Sequence, residues 1–204
     1  SFENSSIVTT KCKGKIADLE ERIDNKLHTG SVGIGHTRWA THGKPNKKNA
    51  HPHHDNSNKF SLIHNGIIEN HSTIRKFLEK NGVVFSSDTD TEVLVQFISY
   101  LYNKHNLDFF KSVKLALKEV IGAYGILVIC HDEPDKLIAA RNGSPLIIGI
   151  GENENYIASD TSAILDFTRN ILFLDDEEIV ELKRGSYKIK HLTHDDEISR
   201  EIKK

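Results

Sequence analysis

Apolar residues recur at helical spacing along the first half of the chain and at strand spacing along the second half. Apolar faces repeating every three or four residues predict helices over Ala17 to Ile23, after Asn70, over Thr89 to Asn103 and over Asp108 to Val120. From Ala123 onward, short apolar runs alternate with Gly, Asn, Asp and Pro turns: AYGILVIC, KLIAAR, LIIGIG, NYIASD, ILFL, EIVELK and SYKIKHL. Because the connections are short, we expect antiparallel pairing and an α+β sandwich whose sheets are covered by helices.

Shorter patterns complete the expected order of elements. Ser5 to Thr10, Ser31 to Arg38 and Phe60 to His64 have β-branched or alternating residues typical of strands. Ser162 to Phe167 interrupts the later strands with a helical turn. Gly43 to Asn58 is rich in Gly, Pro, Asn, Lys and His, which predicts a long loop of the kind that often carries function.

Composition narrows the class of protein. A chain of 204 residues fits one domain, and 27 Lys plus Arg against 29 Asp plus Glu give no broad basic surface, so we expect no nucleic-acid partner. No apolar run approaches the roughly 20 residues that span a bilayer, and the opening SFENSSIV lacks a signal-peptide pattern. The two cysteines, Cys12 and Cys130, form no paired framework and suggest a reducing compartment. We therefore expect a soluble cytoplasmic protein that binds no membrane.

The segment HTRWATHG contains the first candidate binding residues. The planar guanidinium of Arg38 can hold a carboxylate through two parallel hydrogen bonds, and the Trp39 indole could cover the same pocket. A cation-π or strand-end pair without a ligand is the alternative. Thr41, His42 and Gly43 favour the binding interpretation, because a polar turn after a strand is a common place for ligand contacts.

Asn65-Gly66 offers two hydrogen-bond donors at one point of the chain. As an Asn-Gly pair between apolar runs, it is also a strong signal for a two-residue hairpin. In the functional interpretation, the side-chain amide of Asn65 and the backbone N–H of Gly66 converge on a substrate oxygen, and glycine allows that oxygen to approach closely. Such a pair would form an oxyanion hole.

The segment SDTDTE predicts the start of a helix. Thr89 and Glu92 have the spacing of a capping box, and Asp90 would lie near the positive end of the helix dipole. A carboxylate held at a helix start is well placed to receive a substrate ammonium group, so Asp90 can have both a structural and a binding role.

Histidines are concentrated in the predicted loop at His42, His51, His53 and His54, which makes a zinc site worth considering. However, the run HPHH lacks the helical or paired-cysteine spacing that presents metal ligands on one face, and Pro52 restricts the local backbone. We therefore predict no metal and no other cofactor.

Seven motifs in this order resemble the glutaminase domains of glucosamine-6-phosphate synthases, also called glutamine-fructose-6-phosphate aminotransferases: HTRWATHG, NAHPHH, HNGIIENH, SDTDTE, GAYG, ARNGSPL and IASD. The resemblance extends over nearly the whole chain. These enzymes are class II glutamine amidotransferases with the N-terminal nucleophile hydrolase fold, so it implies a four-layer αββα sandwich of two antiparallel sheets between helices. Amidophosphoribosyltransferases and asparagine synthetases, which carry different residues around the shared arginine and Asn-Gly, are the alternatives.

The resemblance also implies site roles at matching positions. Arg38, helped by Thr41 and His42, would bind the α-carboxylate of L-glutamine, and Asp90 would bind its α-amino group. Trp39 would close over the substrate and gate the passage of ammonia.

The same resemblance makes Asn65 and Gly66 the oxyanion hole for attack by a cysteine at the mature N-terminus, whose own amino group serves as general base. The sequence departs from the family here, because Ser1 and its neighbours do not match the opening Cys-Gly-Ile segment. We expect residues 1–204 to form the glutaminase domain without its nucleophile segment, and Cys12 and Cys130 to be structural.

Three functional hypotheses follow. The first is the glutaminase half of a two-step enzyme, whose partners would be L-glutamine, the sugar isomerase domains of the same polypeptide, and a second copy in a full-length homodimer. That half releases glutamate and ammonia, and the nitrogen goes to fructose 6-phosphate. The second is a non-catalytic glutamine-binding module with the same fold. The third is a metal-dependent hydrolase built on the histidine loop.

Overall fold

The computed structural model describes residues 1–3, 6–24, 30–37 and 46–203. Within these ranges the helices are α1 Ile16–Asp24, α2 His71–Lys80, α3 Asp90–His105 and α4 Phe109–Lys118. The strands are β1 Phe2–Glu3, β2 Ser6–Ile7, β3 His53–His54, β4 Phe60–Ile68, β5 Gly122–Cys130, β6 Leu137–Asn142, β7 Ile147–Ile150, β8 Asn155–Ala158, β9 Ile171–Phe173, β10 Glu178–Lys183, β11 Ser186–His191 and β12 Glu197–Ile198. A short 3₁₀ turn covers Thr161–Ala163.

The strands form one large sheet, one small sheet and an isolated pair. Seven strands lie in the order β12-β11-β10-β6-β5-β4-β3, three in the order β8-β7-β9, and β1 pairs with β2. Each of these pairings is antiparallel. The prediction of antiparallel strands joined by short turns is confirmed.

The β5 strand is buried on both faces and separates two apolar cores. Tyr124, Ile126 and Val128 point to the helices, whereas Leu127 and Ile129 point to the small sheet. This follows from the two-residue period of a strand, which sends successive side chains to opposite faces. A near-continuous apolar run such as AYGILVIC is therefore what a central strand between two layers requires.

The helix-side core is organised around α3. Nearly every residue from Asp90 to Leu101 is buried, because α2 and α4 flank this helix and the large sheet lies beneath it. Val93, Leu94 and Ile98 are almost completely inaccessible to solvent. Each such side chain contributes roughly 1.5–3 kcal/mol through removal of apolar surface from water, so the start of α3 is fixed firmly relative to β4.

The second core lies between the two sheets. Ala139 and Val180 of the large sheet face the same cluster as Ile148 and Leu172 of the small sheet. On the outer side of the small sheet, Ile164 packs with Ile147 and Ile171 just after the 3₁₀ turn. The layer order of helices, large sheet and small sheet confirms the α+β sandwich.

Several boundaries differ from the sequence predictions. The β4 strand continues four residues beyond His64, to Ile68. The predicted Gly43 to Asn58 loop contains the short strand β3, which pairs with β4. No strand forms over Ser31 to Thr37 within the part of the chain that is described, and β2 is shorter than the predicted Ser5 to Thr10. Among the described helices, none is long and apolar enough to cross a bilayer.

Candidate active site

Strand β4 divides into a buried half and an exposed half. Phe60 to His64 is buried, with Phe60 and Leu62 in the helix-side core, whereas Asn65, Gly66 and Ile67 are exposed. The exposed half begins at a cavity of about 290 Å³, whose polar lining residues are His36, Thr37, His64, Asn65 and Ser159. The strand thus holds Asn65 at the edge of a concave polar site.

Asn65-Gly66 lies inside a continuous strand and does not form a hairpin. Asn65 pairs with Gly125 and Gly66 pairs with Tyr124, within nine consecutive residue pairs between β4 and β5. Gly66 has φ +115°, a conformation that side-chain-bearing residues rarely adopt. A β-carbon at this position would lie 2.1 Å from the carbonyl oxygen of Ala123. Only glycine therefore allows β4 and β5 to approach each other this closely at position 66.

The side-chain amide of Asn65 is held by a histidine. Its Oδ1 atom lies 2.8 Å from Nε2 of His36, which lines the same cavity. An amide that uses its oxygen in this contact turns its NH₂ group away from His36. Asn65 is thus able to offer two N–H donors to a molecule in the cavity.

Asp90 is the first residue of α3 and is buried. Its Oδ2 accepts a hydrogen bond of 2.9 Å from the backbone N–H of Ile68, and its Oδ1 accepts one of 3.0 Å from the backbone N–H of Thr91. The same Oδ2 lies 3.8 Å from Nδ1 of His64. The carboxylate therefore joins the end of β4 to the beginning of α3, directly behind a residue that lines the cavity.

The predicted cap of α3 is present with one difference. The Thr89 hydroxyl accepts a hydrogen bond of 3.1 Å from the backbone N–H of Glu92. The Glu92 carboxylate, however, accepts from the backbone N–H and hydroxyl groups of Ser86 and Ser87. Burial alone would raise the pKa of Glu92, but the hydrogen bonds from Ser87 and Ser86 lower it below its ordinary value.

The histidines of the loop bind separate hydroxyl groups. His51 Nε2 lies 3.0 Å from Oγ1 of Thr91, His53 Nε2 lies 3.1 Å from Oγ1 of Thr89, and His54 Nε2 lies 3.0 Å from Oγ1 of Thr9. Burial and the nearby Lys11 lower the pKa of His53 to about 4, so its ring is neutral at pH 7. The His51 and His53 contacts tie the loop to the start of α3, and the His54 contact ties it to Thr9.

The structure brings part of the predicted site together. Asn65 lines the cavity, Gly66 follows it in the strand, and Asp90 lies behind the cavity through His64. The four predicted substrate contacts Arg38, Trp39, Thr41 and His42 lie outside the described residues. The roles of all seven residues remain predictions.

The residues that surround Asn65 and Asp90 were not predicted in this role. His36, His64 and Thr91 lie within the motifs HTRW, HNG and DTE but were assigned no function, and His51 was considered only as a zinc ligand. All four form polar contacts here. Their spacing of up to 55 positions in the sequence (36 to 91) gave no local signal.

The two cysteines occupy different environments. Cys130 is completely buried in the helix-side core, and burial raises its pKa to about 11. Its thiol is therefore protonated at neutral pH and packed away from the cavity, which agrees with the predicted structural role. Cys12 is partly exposed and unpaired with Cys130.

Comparison with known proteins identifies the family to which this chain is similar. Residues 36–166 match the glutamine amidotransferase domain family. The glutamine–fructose-6-phosphate aminotransferase (isomerizing) of Bacteroides thetaiotaomicron is 48% identical over 183 residues, which cover 90% of this chain and 30% of that enzyme. The corresponding enzyme of Fusobacterium nucleatum is 46% identical over 201 residues, or 98% of this chain and 32% of that enzyme.

A solved structure agrees with the fold. Glutamine phosphoribosylpyrophosphate amidotransferase from B. subtilis, in complex with ADP and GMP, is 26% identical, with a TM-score of 0.65 over 77% of this chain and 34% of its own. The present chain thus spans about a third of the length of these relatives. Since the family match covers more than half of the residues, the chain belongs to the glutamine amidotransferase domain family.

Proposed function

We propose that this domain hydrolyses the side-chain amide of L-glutamine to glutamate and ammonia. The observation that carries the proposal is the exposed Asn65, which lines a polar cavity at the end of the buried half of β4 and is followed by a position that only glycine fits. An amide carbonyl under nucleophilic attack develops negative charge on its oxygen. The Asn65 NH₂ group and the Gly66 backbone N–H are the donors we assign to that oxyanion.

The proposal gives the nucleophilic role to a cysteine thiol with a free N-terminal amine beside it. The amine would take the thiol proton and the sulfur would attack the amide carbon. The amine would then return that proton to the departing nitrogen, which leaves as ammonia, and water would hydrolyse the thioester to glutamate and the free thiol. Neither cysteine of the chain suits this role. Cys12 and Cys130 both lie inside the chain and have no free α-amino group, and the Cys130 thiol is also buried with a pKa of about 11. We therefore assign the nucleophile to a segment N-terminal to this domain.

Substrate orientation would depend on charge at both ends of the amino acid. We assign the α-amino group to Asp90, the α-carboxylate to Arg38 with Thr41 and His42, and a covering role to Trp39. The Asp90 oxygens accept one backbone N–H each. A carboxylate has about four lone-pair sites, so these two bonds leave capacity for a substrate ammonium.

We further propose that the ammonia is transferred to fructose 6-phosphate by sugar isomerase domains of the same polypeptide. The 46–48% identity to glutamine–fructose-6-phosphate aminotransferases supports fructose 6-phosphate as the acceptor. Phosphoribosylpyrophosphate, which appears in the name of the relative at 26% identity, has less support. In this proposal residues 1–204 are the glutaminase domain without its N-terminal nucleophile segment, the full-length protein is a cytoplasmic homodimer, and glutamine hydrolysis needs no metal or other cofactor.

The proposal can be tested by measuring the glutamate and ammonia that the natural full-length protein releases. With glutamine alone we expect hydrolysis, and with added fructose 6-phosphate we expect glucosamine 6-phosphate as a product. Calorimetric binding of glutamine without any hydrolysis would instead identify a binding module. Loss of hydrolysis in a chelator, restored by zinc, would identify a metal-dependent hydrolase.

A further inference from the structure

The orientation of the Asn65 amide decides whether this residue can stabilise an oxyanion. The side chain is exposed and stands at the edge of the cavity, so its own packing does not select one face of the amide. With the NH₂ group toward the cavity, Asn65 donates to a developing negative charge. With the carbonyl oxygen toward the cavity, it would repel the same charge.

His36 selects between these two orientations. Its Nε2 atom lies 2.8 Å from Oδ1 of Asn65, a distance at which one partner must donate and the other accept. If Nε2 carries the proton, it donates to the amide oxygen and leaves the NH₂ group facing the cavity. If Nδ1 carries the only ring proton, Nε2 would accept from a reversed amide.

The His36 ring is itself held by the start of α3. Its centroid lies 4.1 Å from the centroid of the His51 ring, and His51 Nε2 lies 3.0 Å from Oγ1 of Thr91. Thr91 follows Asp90 directly and is buried. A continuous chain of contacts therefore runs from the carboxylate proposed to bind the substrate ammonium to the amide proposed to bind the oxyanion.

We infer that His36 is a positioning residue for the reaction, which as its Nε2–H tautomer fixes the Asn65 amide with both N–H donors toward the substrate. The inference rests on the proposed glutaminase function. His36 contacts the side-chain oxygen of Asn65, and it acts on the reacting atoms only through that residue. Its effect should therefore appear in turnover and not in glutamine affinity.

Replacement of His36 tests this role in the natural full-length protein. His36→Phe keeps a planar ring but removes the donor, and we expect kcat for glutamine hydrolysis to fall about 10- to 100-fold. This is less than the roughly 100- to 1,000-fold loss typical of removing an oxyanion donor itself, because the Asn65 amide is still present. KM should stay within about twofold. His36→Gln can present an N–H at nearly the same point and should recover kcat to within about threefold of the natural protein.

A double-mutant cycle separates positioning from a general structural effect. In an Asn65→Ala background, His36→Phe should cause no further loss of kcat, because there is no amide left to orient. Equal losses in both backgrounds would overturn the inference. His105→Phe, at the exposed end of α3, is the matched control and should leave kcat unchanged.

A measurement without turnover distinguishes this inference from the proposed function. Long-range ¹⁵N–¹H spectra should find the His36 ring protonated at Nε2, and His36→Phe should shift the Asn65 side-chain NH₂ resonances but not those of Asn153. An Nδ1–H tautomer would overturn the inference even in an active enzyme. An inactive natural protein with an Nε2–H ring would instead overturn the proposed function.

Discussion

The carbonyl oxygen of Ala123 lies only 2.1 Å from the point where a β-carbon on Gly66 would stand. The obstacle is backbone of the neighbouring strand, which cannot move aside without breaking the pairing of β4 with β5. The positive φ of Gly66 adds strain for any other residue. The fold therefore requires glycine here independently of any reaction.

Gly66→Ala should consequently destabilise the domain by about 2 kcal/mol or more, which corresponds to a fall in Tm of at least ~4 °C for a chain of this size. Thermal unfolding followed by circular dichroism measures this. Gly185→Ala is the control, because no atom lies within 4 Å of the β-carbon it would add. A Gly66→Ala protein as stable as the Gly185→Ala protein would contradict the close approach.

Asn65→Ala should affect turnover far more than stability. The side chain is exposed, so its loss removes little packing. Loss of one oxyanion donor typically lowers kcat by about 100- to 1,000-fold. Steady-state kinetics with glutamine, together with a thermal melt, check both parts. The exposed Asn153→Ala provides the control, and a large fall in Tm for Asn65→Ala would indicate a structural role.

Asp90→Asn should raise KM for glutamine and lower Tm as well. The substitution removes the negative charge proposed to hold the substrate ammonium. It also replaces one of the two accepting oxygens by an NH₂ group, which cannot accept a hydrogen bond, so the backbone N–H of Ile68 or of Thr91 loses its partner. We expect KM to rise about tenfold or more, since a hydrogen bond to a charged group contributes about 1.5–3 kcal/mol.

Kinetics of Asp88→Asn supply the comparison for Asp90, since Asp88 is exposed two residues earlier in the same segment. KM for that variant should match the natural protein. If Asp90→Asn lowers Tm while KM remains unchanged, the carboxylate serves only to join β4 to α3.

Acid should destabilise the domain through His53. Burial, with Lys11 nearby, lowers the pKa of His53 from its ordinary value of 6.5 to about 4 in the folded state. Between these values the unfolded chain binds the proton and the folded domain does not, so stability is lost as the pH falls through this window. At ~1.4 kcal/mol per pKa unit, the full effect is about 3 kcal/mol.

Denaturant unfolding at pH 7.0, 6.0, 5.0 and 4.5 would measure that loss. His53→Gln should flatten the dependence, although His54, whose pKa is also lowered by burial, retains a part of it. Replacement of the exposed His105 by Gln should leave the slope as it is in the natural protein. A His53→Gln protein with the natural slope would assign the acid sensitivity to other groups.

Hydrophobic spacing predicted the helices and most strands because those elements are stabilised by the faces they bury. The α3 helix, predicted over Thr89 to Asn103, spans Asp90–His105, and its Thr89 cap is the one expected. The Asn65-Gly66 pair shows where local signals are insufficient. Its turn preference is overridden by nine residue pairs with β5, a partner more than 50 positions away in the sequence.

Long-range polar contacts were beyond prediction for the same reason. Asn70 stands at the cap position of α2, a helix predicted to begin after it, but its side chain makes no cap bond. Its amide instead donates to the carbonyl oxygen of Glu119 and accepts from the backbone N–H of Ile121. Only the folded chain brings those groups together, as it does for His36 and Asn65.

The β4 strand contains both core residues and Asn65, the proposed oxyanion donor, and its pairing with β5 is continuous. Insertion of a single residue between Leu62 and Asn65 would rotate every later side chain to the opposite face. The amide would then point into the apolar layer, and Ile68 would leave it. We therefore expect related sequences to differ along β4 by substitution alone. Insertions and deletions should be confined to the turns beyond this strand.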